Sequence, residues 1–128
     1  MYRFTQATPN IPALHAALPG LNIIAAAAIG NIREKSMRQT ALLIEMADRR
    51  GWRVNTPRYP DRRGGTVSID MLEAQRVCDE LLKRDVLVDY RLKAGVRFSP
   101  HSYNTDEELA RAISAVEHIL SEAKAKVR

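Results

Sequence analysis

The run Thr105-Asp106-Glu107-Glu108 limits the possible folds more than any other segment. A Ser or Thr followed three residues later by Glu caps a helix start reciprocally, and acids in the first turn complement the helix dipole. Behind it Leu109, Ala112, Ile113, Val116, Leu120 and Ala123 recur at helical spacing, which predicts a helix over 105–124 with one apolar face. Such a face must be buried against a second layer. Four short segments can supply it: Trp52–Thr56, Thr66–Ile69, Asp85–Tyr90 and Val96–Ser99 alternate or are valine-rich, with turn signals at Pro57–Gly65 and Gly95.

Between the second and third of these segments, Asp70 stands three residues before Glu73, the spacing of a capped helix whose buried face is Ala74, Val77, Cys78, Leu81 and Leu82. Residues 1–10 read as an extended opening loop. Ile11–Leu18 reads as a short helix ended by Pro19-Gly20, and Asn22–Ile29 as a second. The pattern then continues, with a kink at Gly30, from Asn31 to Arg50 on an apolar face of Ile32, Ala41, Leu43, Ile44 and Ala47, and Gly51 stops it. The prediction is an α+β fold in one small domain over 1–128, a short, mainly antiparallel sheet with helices packed on it. Helices fill 11–50, the sheet with one helix fills 52–104, and the last helix runs over 105–124.

Ile11 to Ile29 is apolar enough to raise the question of a membrane. Pro12 and Pro19-Gly20 interrupt it, His15 and Asn22 would be stranded in lipid, and no basic stretch precedes it, so two short buried helices are expected instead, with no membrane partner. The single cysteine, Cys78, cannot form an internal disulfide and falls on an apolar helical face, which favours a reducing, cytoplasmic setting. The net charge of +5 comes from bases interleaved with acids, as in Arg33-Glu34-Lys35, the pattern of solvated helix surfaces. Arg58, Arg62 and Arg63 form the one locally basic stretch, and it reads as a turn; nucleic-acid binding there is a minor alternative, and no nucleic-acid partner is expected.

The three histidines, His15, His101 and His118, are far apart, so spacing exposes no metal site and no self-contained catalytic group. Arg97 differs. Val96 and Phe98 share one face of the predicted strand, which puts Arg97 on the other, and a planar guanidinium suits a carboxylate. From pattern alone, a surface Arg paired with Asp89 or Glu107 is the commoner outcome.

Two stretches bring a family into view. Gly95-Val96-Arg97-Phe98-Ser99-Pro100-His101-Ser102-Tyr103-Asn104-Thr105-Asp106-Glu107-Glu108 resembles the closing signature of class V aminotransferase-fold enzymes. The opening Arg3-Phe4-Thr5-Gln6-Ala7-Thr8-Pro9-Asn10-Ile11-Pro12-Ala13-Leu14 resembles a segment of kynureninase-like members, as do Lys35–Thr40 and Arg63–Val67. The resemblance implies the C-terminal small domain of a fold-type-I, pyridoxal-phosphate (PLP) enzyme of about three times this length. It implies that Arg97 binds the α-carboxylate of an amino-acid substrate such as kynurenine, which kynureninase hydrolyses to anthranilate and alanine in tryptophan catabolism. It also implies that Thr8, and less directly Asn10, lie by the cofactor phosphate across a dimer interface. Ala7 stands where the family favours glycine, and Ser102 where it favours a large aromatic.

The chain holds no Asp-x-x-Lys segment for a Schiff base and no cofactor-stacking aromatic, so catalysis is expected only with a large PLP-binding domain or subunit, and no catalytic residue is assigned here. Two other readings stay open. One is the small domain of another class V aminotransferase, a cysteine desulfurase or an epimerase, since every amino acid has an α-carboxylate. The other is a homo-oligomeric interaction module associating through Ile11–Ile29.

Overall fold

The protein is described here from a computed structural model covering residues 9–126. The chain divides into two compact units, residues 1–33 and 34–128. Its elements are α1 (Ile11–Ala27), α2 (Ile29–Asp48), β1 (Arg53–Val54), a 3-10 turn at Pro60–Arg62, β2 (Val67–Asp70), α3 (Ala74–Leu82), β3 (Asp89–Arg91), β4 (Gly95–Phe98) and α4 (Asp106–Lys126).

In the second unit the four strands pair antiparallel in the order β1-β2-β4-β3, the α+β arrangement the sequence predicts. The β2–β4 register places Val67 opposite Phe98, Ser68 opposite Arg97 and Ile69 opposite Val96. Because side chains alternate along a strand, Val67, Ile69, Val96 and Phe98 share one face. They are buried in a single core with Leu43, Ile44 and Ala47 of α2, Val77, Cys78 and Leu81 of α3, and Leu109, Ile113, Val116 and Ile119 of α4. The other face carries Arg53, Ser68, Asp70, Asp89, Arg91 and Arg97, a polar row.

Two glycines set boundaries by their backbone. Gly51 takes φ +67° and its N–H donates to Asp48 O at 3.0 Å, ending α2 where the sequence predicts. Gly95 takes φ +88°, and a Cβ there would lie 2.2 Å from Ile69 O. Only glycine lets β4 approach β2 this closely.

Several boundaries differ from the sequence reading. Asp70 does not cap α3: it is the last residue of β2, held opposite Arg53, and Glu73 precedes the helix in the left-handed region (φ +54°) with no side-chain cap. β3 begins at Asp89 rather than Asp85, because Arg84 N and Val86 N still bond Leu81 O as the end of α3 unwinds. The faces of α2, α3 and α4 are otherwise as expected, except that Ile119 is fully buried whereas Leu82 and Ala41 are exposed.

In the first unit, α1 is one continuous helix through Pro19, not two ended by Pro19-Gly20. The proline removes one helical N–H, and on a solvated helix water can hydrate the carbonyl left over. The break falls at Ala28 (φ +62°), not at Gly30. The expectation of buried helices is also corrected. α1 buries no residue, and Ile11, Leu14, Leu18, Leu21, Ile23 and Ile24 are all exposed, Ile23 at 71%. Among the described residues, no single helix is long and apolar enough to cross a membrane.

Replacing Gly95 by alanine should destabilise the fold by at least ~2 kcal/mol, since both the backbone conformation and the Ile69 carbonyl oppose a side chain. Urea unfolding measures this, and a midpoint matching the wild type would contradict the close approach.

Candidate functional site

Arg97 sits mid-strand on the polar face, directly opposite Asp89 of β3. The structure realises the commoner outcome expected from pattern, a pair with Asp89: Nε donates to Asp89 Oδ1 at 2.6 Å and Nη2 to Oδ2 at 2.7 Å. Arg91 Nη2 reaches the same Oδ2 at 2.9 Å. The two arginines hold the Asp89 carboxyl below its ordinary range, the hydrogen bond from Arg97 first, and Asp89 in turn raises Arg97. Both side chains of the central pair are about two-fifths exposed, at 38% and 41%.

This geometry leaves part of the guanidinium unused. An arginine has five N–H donors in a rigid fork, and Asp89 takes the Nε–Nη2 edge. Nη1 and the second proton of Nη2 carry no hydrogen bond among the described residues, so one bidentate edge remains on a solvent-reachable face. A cavity of about 580 Å³ lies elsewhere, among Val86, Leu87, Phe98, Tyr103 and Arg111, and Arg97 does not line it. Arg97 thus stands on the polar face of the sheet, outside that cavity.

The loop after β4 is held by a polar hub on the first half of α2. Lys35 Nζ donates to Ser102 O at 2.7 Å, Gln39 Nε2 donates to Asn104 O at 3.0 Å and to Asp106 Oδ1 at 3.2 Å, and Arg38 pairs with Asp106. On its other flank Thr40 Oγ1 accepts from Arg63 Nε at 3.1 Å and donates back to the helix carbonyl of Ser36 at 2.8 Å. Within the loop, Asn104 Oδ1 accepts from His101 N at 2.8 Å and its Nδ2 donates to Glu108 Oε2 at 3.0 Å. The capping box closes as predicted, Thr105 Oγ1 accepting from Glu108 N and Glu108 Oε2 from Thr105 N. Three of the four stretches that carry the resemblance thus meet at α2.

The sequence pattern alone gives Gln39 and Thr40 no role. The available signal was two polar residues where the buried face of α2 continues back from Leu43 and Ala47, and both are fully buried. Thr8 lies outside the described residues. Asn10 uses its side chain to cap α1, Oδ1 accepting from Ala13 N at 3.1 Å. His118 pairs with Glu122 on the exposed side of α4, and the Cys78 thiol, pushed up by burial, lies 3.8 Å from Val88 O. Of the three arginines in the basic stretch, Arg58 pairs with Asp48 and Arg63 is buried, so that stretch is not an open cationic surface.

Comparison with known proteins then decides the family. The model of the kynureninase C-terminal domain matches residues 32–116, a span holding the sheet, α3, Arg97 and the α2 hub. The chain belongs to the kynureninase C-terminal domain family. It is 32% identical to the kynureninase of Shouchella clausii (strain KSM-K16) over 96% of its own length and 30% of that protein. It is 30% identical to the kynureninase of Bacillus thuringiensis subsp. konkukian (strain 97-27) over 93% and 29% respectively. The fold matches that of the apo cysteine desulfurase from Thermococcus onnurineus NA1 with a TM-score of 0.83 at 22% identity, over 94% of this chain and 34% of that one. The chain therefore spans about a third or less of the length of the proteins it resembles.

In this kynureninase C-terminal domain neither Lys35 nor Lys83 is placed to carry a PLP Schiff base. A cofactor lysine needs a desolvated cleft, yet Lys35 is spent on Ser102 O and Lys83 pairs with Glu80 on the surface. The start of α4 carries Asp106, Glu107 and Glu108, which repel a phosphate.

The hub gives the domain an acid-sensitive element. Arg38 and Gln39 hold Asp106, and Asn104 and the Thr105 N–H hold Glu108, below their ordinary carboxylate values. A lowered folded pKa means stability present above the unfolded value and lost as pH falls through the folded one. Asp106→Asn should lower the melting temperature by a few degrees at pH 7, and the difference should shrink only as the pH falls below the ordinary aspartate range and through the lowered folded value. Thermal melts across that range test it, and a pH-independent difference would refute the charged pairing.

Proposed function

We propose that this chain is the substrate-binding small domain of a PLP-dependent, kynureninase-like hydrolase acting on kynurenine, and that Arg97 binds the substrate's α-carboxylate. The observation that carries the reading is the unused bidentate edge of Arg97 on a polar sheet face, in a chain of this family. A charge-assisted pair at that edge would fix the substituents of the substrate α-carbon, an orienting role rather than a bond-breaking one. The cofactor and its lysine then belong to a large PLP-binding domain or subunit, in keeping with a chain spanning 30% of a curated relative. Thr8 would meet the cofactor phosphate in that assembly, and Asn10, by capping α1, would help shape the loop that carries it.

The exposed apolar residues of α1 support a docking role for that helix, with the large domain as occupant in a dimeric enzyme. The same residues favour self-association when that partner is missing, the reading of the chain as an oligomeric module. Other class V reactions share the carboxylate and are separated by substrate.

Substituted for the corresponding domain of the Shouchella clausii kynureninase, this chain should restore kynurenine cleavage, with no activity on cysteine. Arg97→Gln in that graft should raise KM by about 10–100-fold while cofactor absorbance stays unchanged. A graft that turns over kynurenine with an unaltered KM after Arg97→Gln sinks the carboxylate assignment.

A further inference from the structure

We infer that Asp89 is a positioning residue for the carboxylate site, holding the Arg97 guanidinium so that its second edge is presented to the ligand; the inference rests on the role proposed for Arg97 above. Two plainer readings compete with it. Asp89 could be an ordinary surface partner, or a latch that occupies the arginine until a substrate displaces it. The three predict different behaviour, because they assign different signs to the removal of Asp89.

The pairing is side-on. Both Asp89 oxygens are engaged, Oδ1 by Nε and Oδ2 by Nη2, which fixes the plane of the fork and its rotation about the Nε–Cζ bond. The free donors, on Nη1 and the outer side of Nη2, then point along one edge and can meet a carboxylate with two parallel bonds. Asp89 therefore leaves the end-on edge open, and removing it separates the positioning and latch readings by sign.

The charge count supports an additional anion. Arg91 shares Oδ2 with Arg97, so one carboxylate stands between two guanidinium groups and the trio carries a net charge of about +1. Ser68, opposite Arg97 on β2, is neutral, and Asp70 lies one pleat further along, opposite Arg53. The support is also rigid. Asp89 and Arg97 are direct cross-strand partners, and the register of β4 is pinned by Gly95 against Ile69. Ordering a long arginine side chain costs conformational entropy, and Asp89 meets that cost before any ligand arrives.

The test uses the full chain, isotopically labelled, titrated with L-kynurenine and with its decarboxylated amine as the control that lacks a carboxylate. The Arg97 Nε–H resonance reports both binding and rotation about Nε–Cζ. In the wild type L-kynurenine should move that resonance and the amine should not. Asp89→Asn and Asp89→Ala should each speed the rotation and weaken L-kynurenine binding about tenfold, although either change makes the site more positive. Asp89→Glu should restore part of the affinity. Asp89→Asn, which keeps the size of the side chain, carries the comparison if Asp89→Ala does not fold. Equal or tighter binding in the Asp89 variants, with binding lost in Arg97→Gln, overturns the positioning role and leaves the Arg97 reading standing. Undiminished binding in Arg97→Gln overturns both.

Discussion

Where β4 passes β2, the Ile69 carbonyl oxygen lies 2.2 Å from the point a Cβ on residue 95 would occupy. That contact leaves one register for the central pair of strands. A slip of one residue would turn Val96 and Phe98 to the polar side and Arg97 into the core, exchanging apolar burial for a buried cation. The core, the polar face and the aim of the guanidinium all follow from this approach. The interaction is short-range and steric, so it tolerates little change, whereas the ion pairs on the surface are individually weak.

The domain sorts its polar groups into two tasks. On the helix side, buried Gln39 and Thr40 tie the loops flanking the sheet to α2, and the capping box makes that loop and the start of α4 one rigid piece. On the open side, Asp89, Arg91 and Arg97 stay half-exposed and hold their charges near water. Burial suits the first group because Gln39 and Thr40 are matched there by backbone carbonyls and by the Asp106 and Arg63 side chains. Exposure suits the second, whose free donors face outward.

Much of this was legible in the sequence. The capping box, the four strands, the alternation that puts Arg97 opposite to Val96 and Phe98, and the family resemblance all rest on local residue types. What failed was what depends on partners. Asp70 and Glu73 have the spacing of a cap, yet the sheet claims the backbone of Asp70 first. Ile11–Ile29 reads as buried because it is apolar, but apolar character records a demand for burial and cannot say which surface meets it. The role of α2 escaped because a polar residue on a buried helical position is only meaningful once the loop carbonyls that satisfy it are known. Arg97 shows both sides of the limit. Its strand face was readable, and so were the two acids that could pair with it, but the choice of Asp89 and the edge left over are matters of three-dimensional geometry.

The uncovered apolar row of α1 has a further bearing on how such a chain survives in a cell. A helix of 17 residues with a proline inside and no buried side chain is near the limit of stability in water. Synthesised without something to cover it, the polypeptide would offer chaperones and proteases a ready hydrophobic handle, so its abundance would follow the supply of whatever seats on that helix.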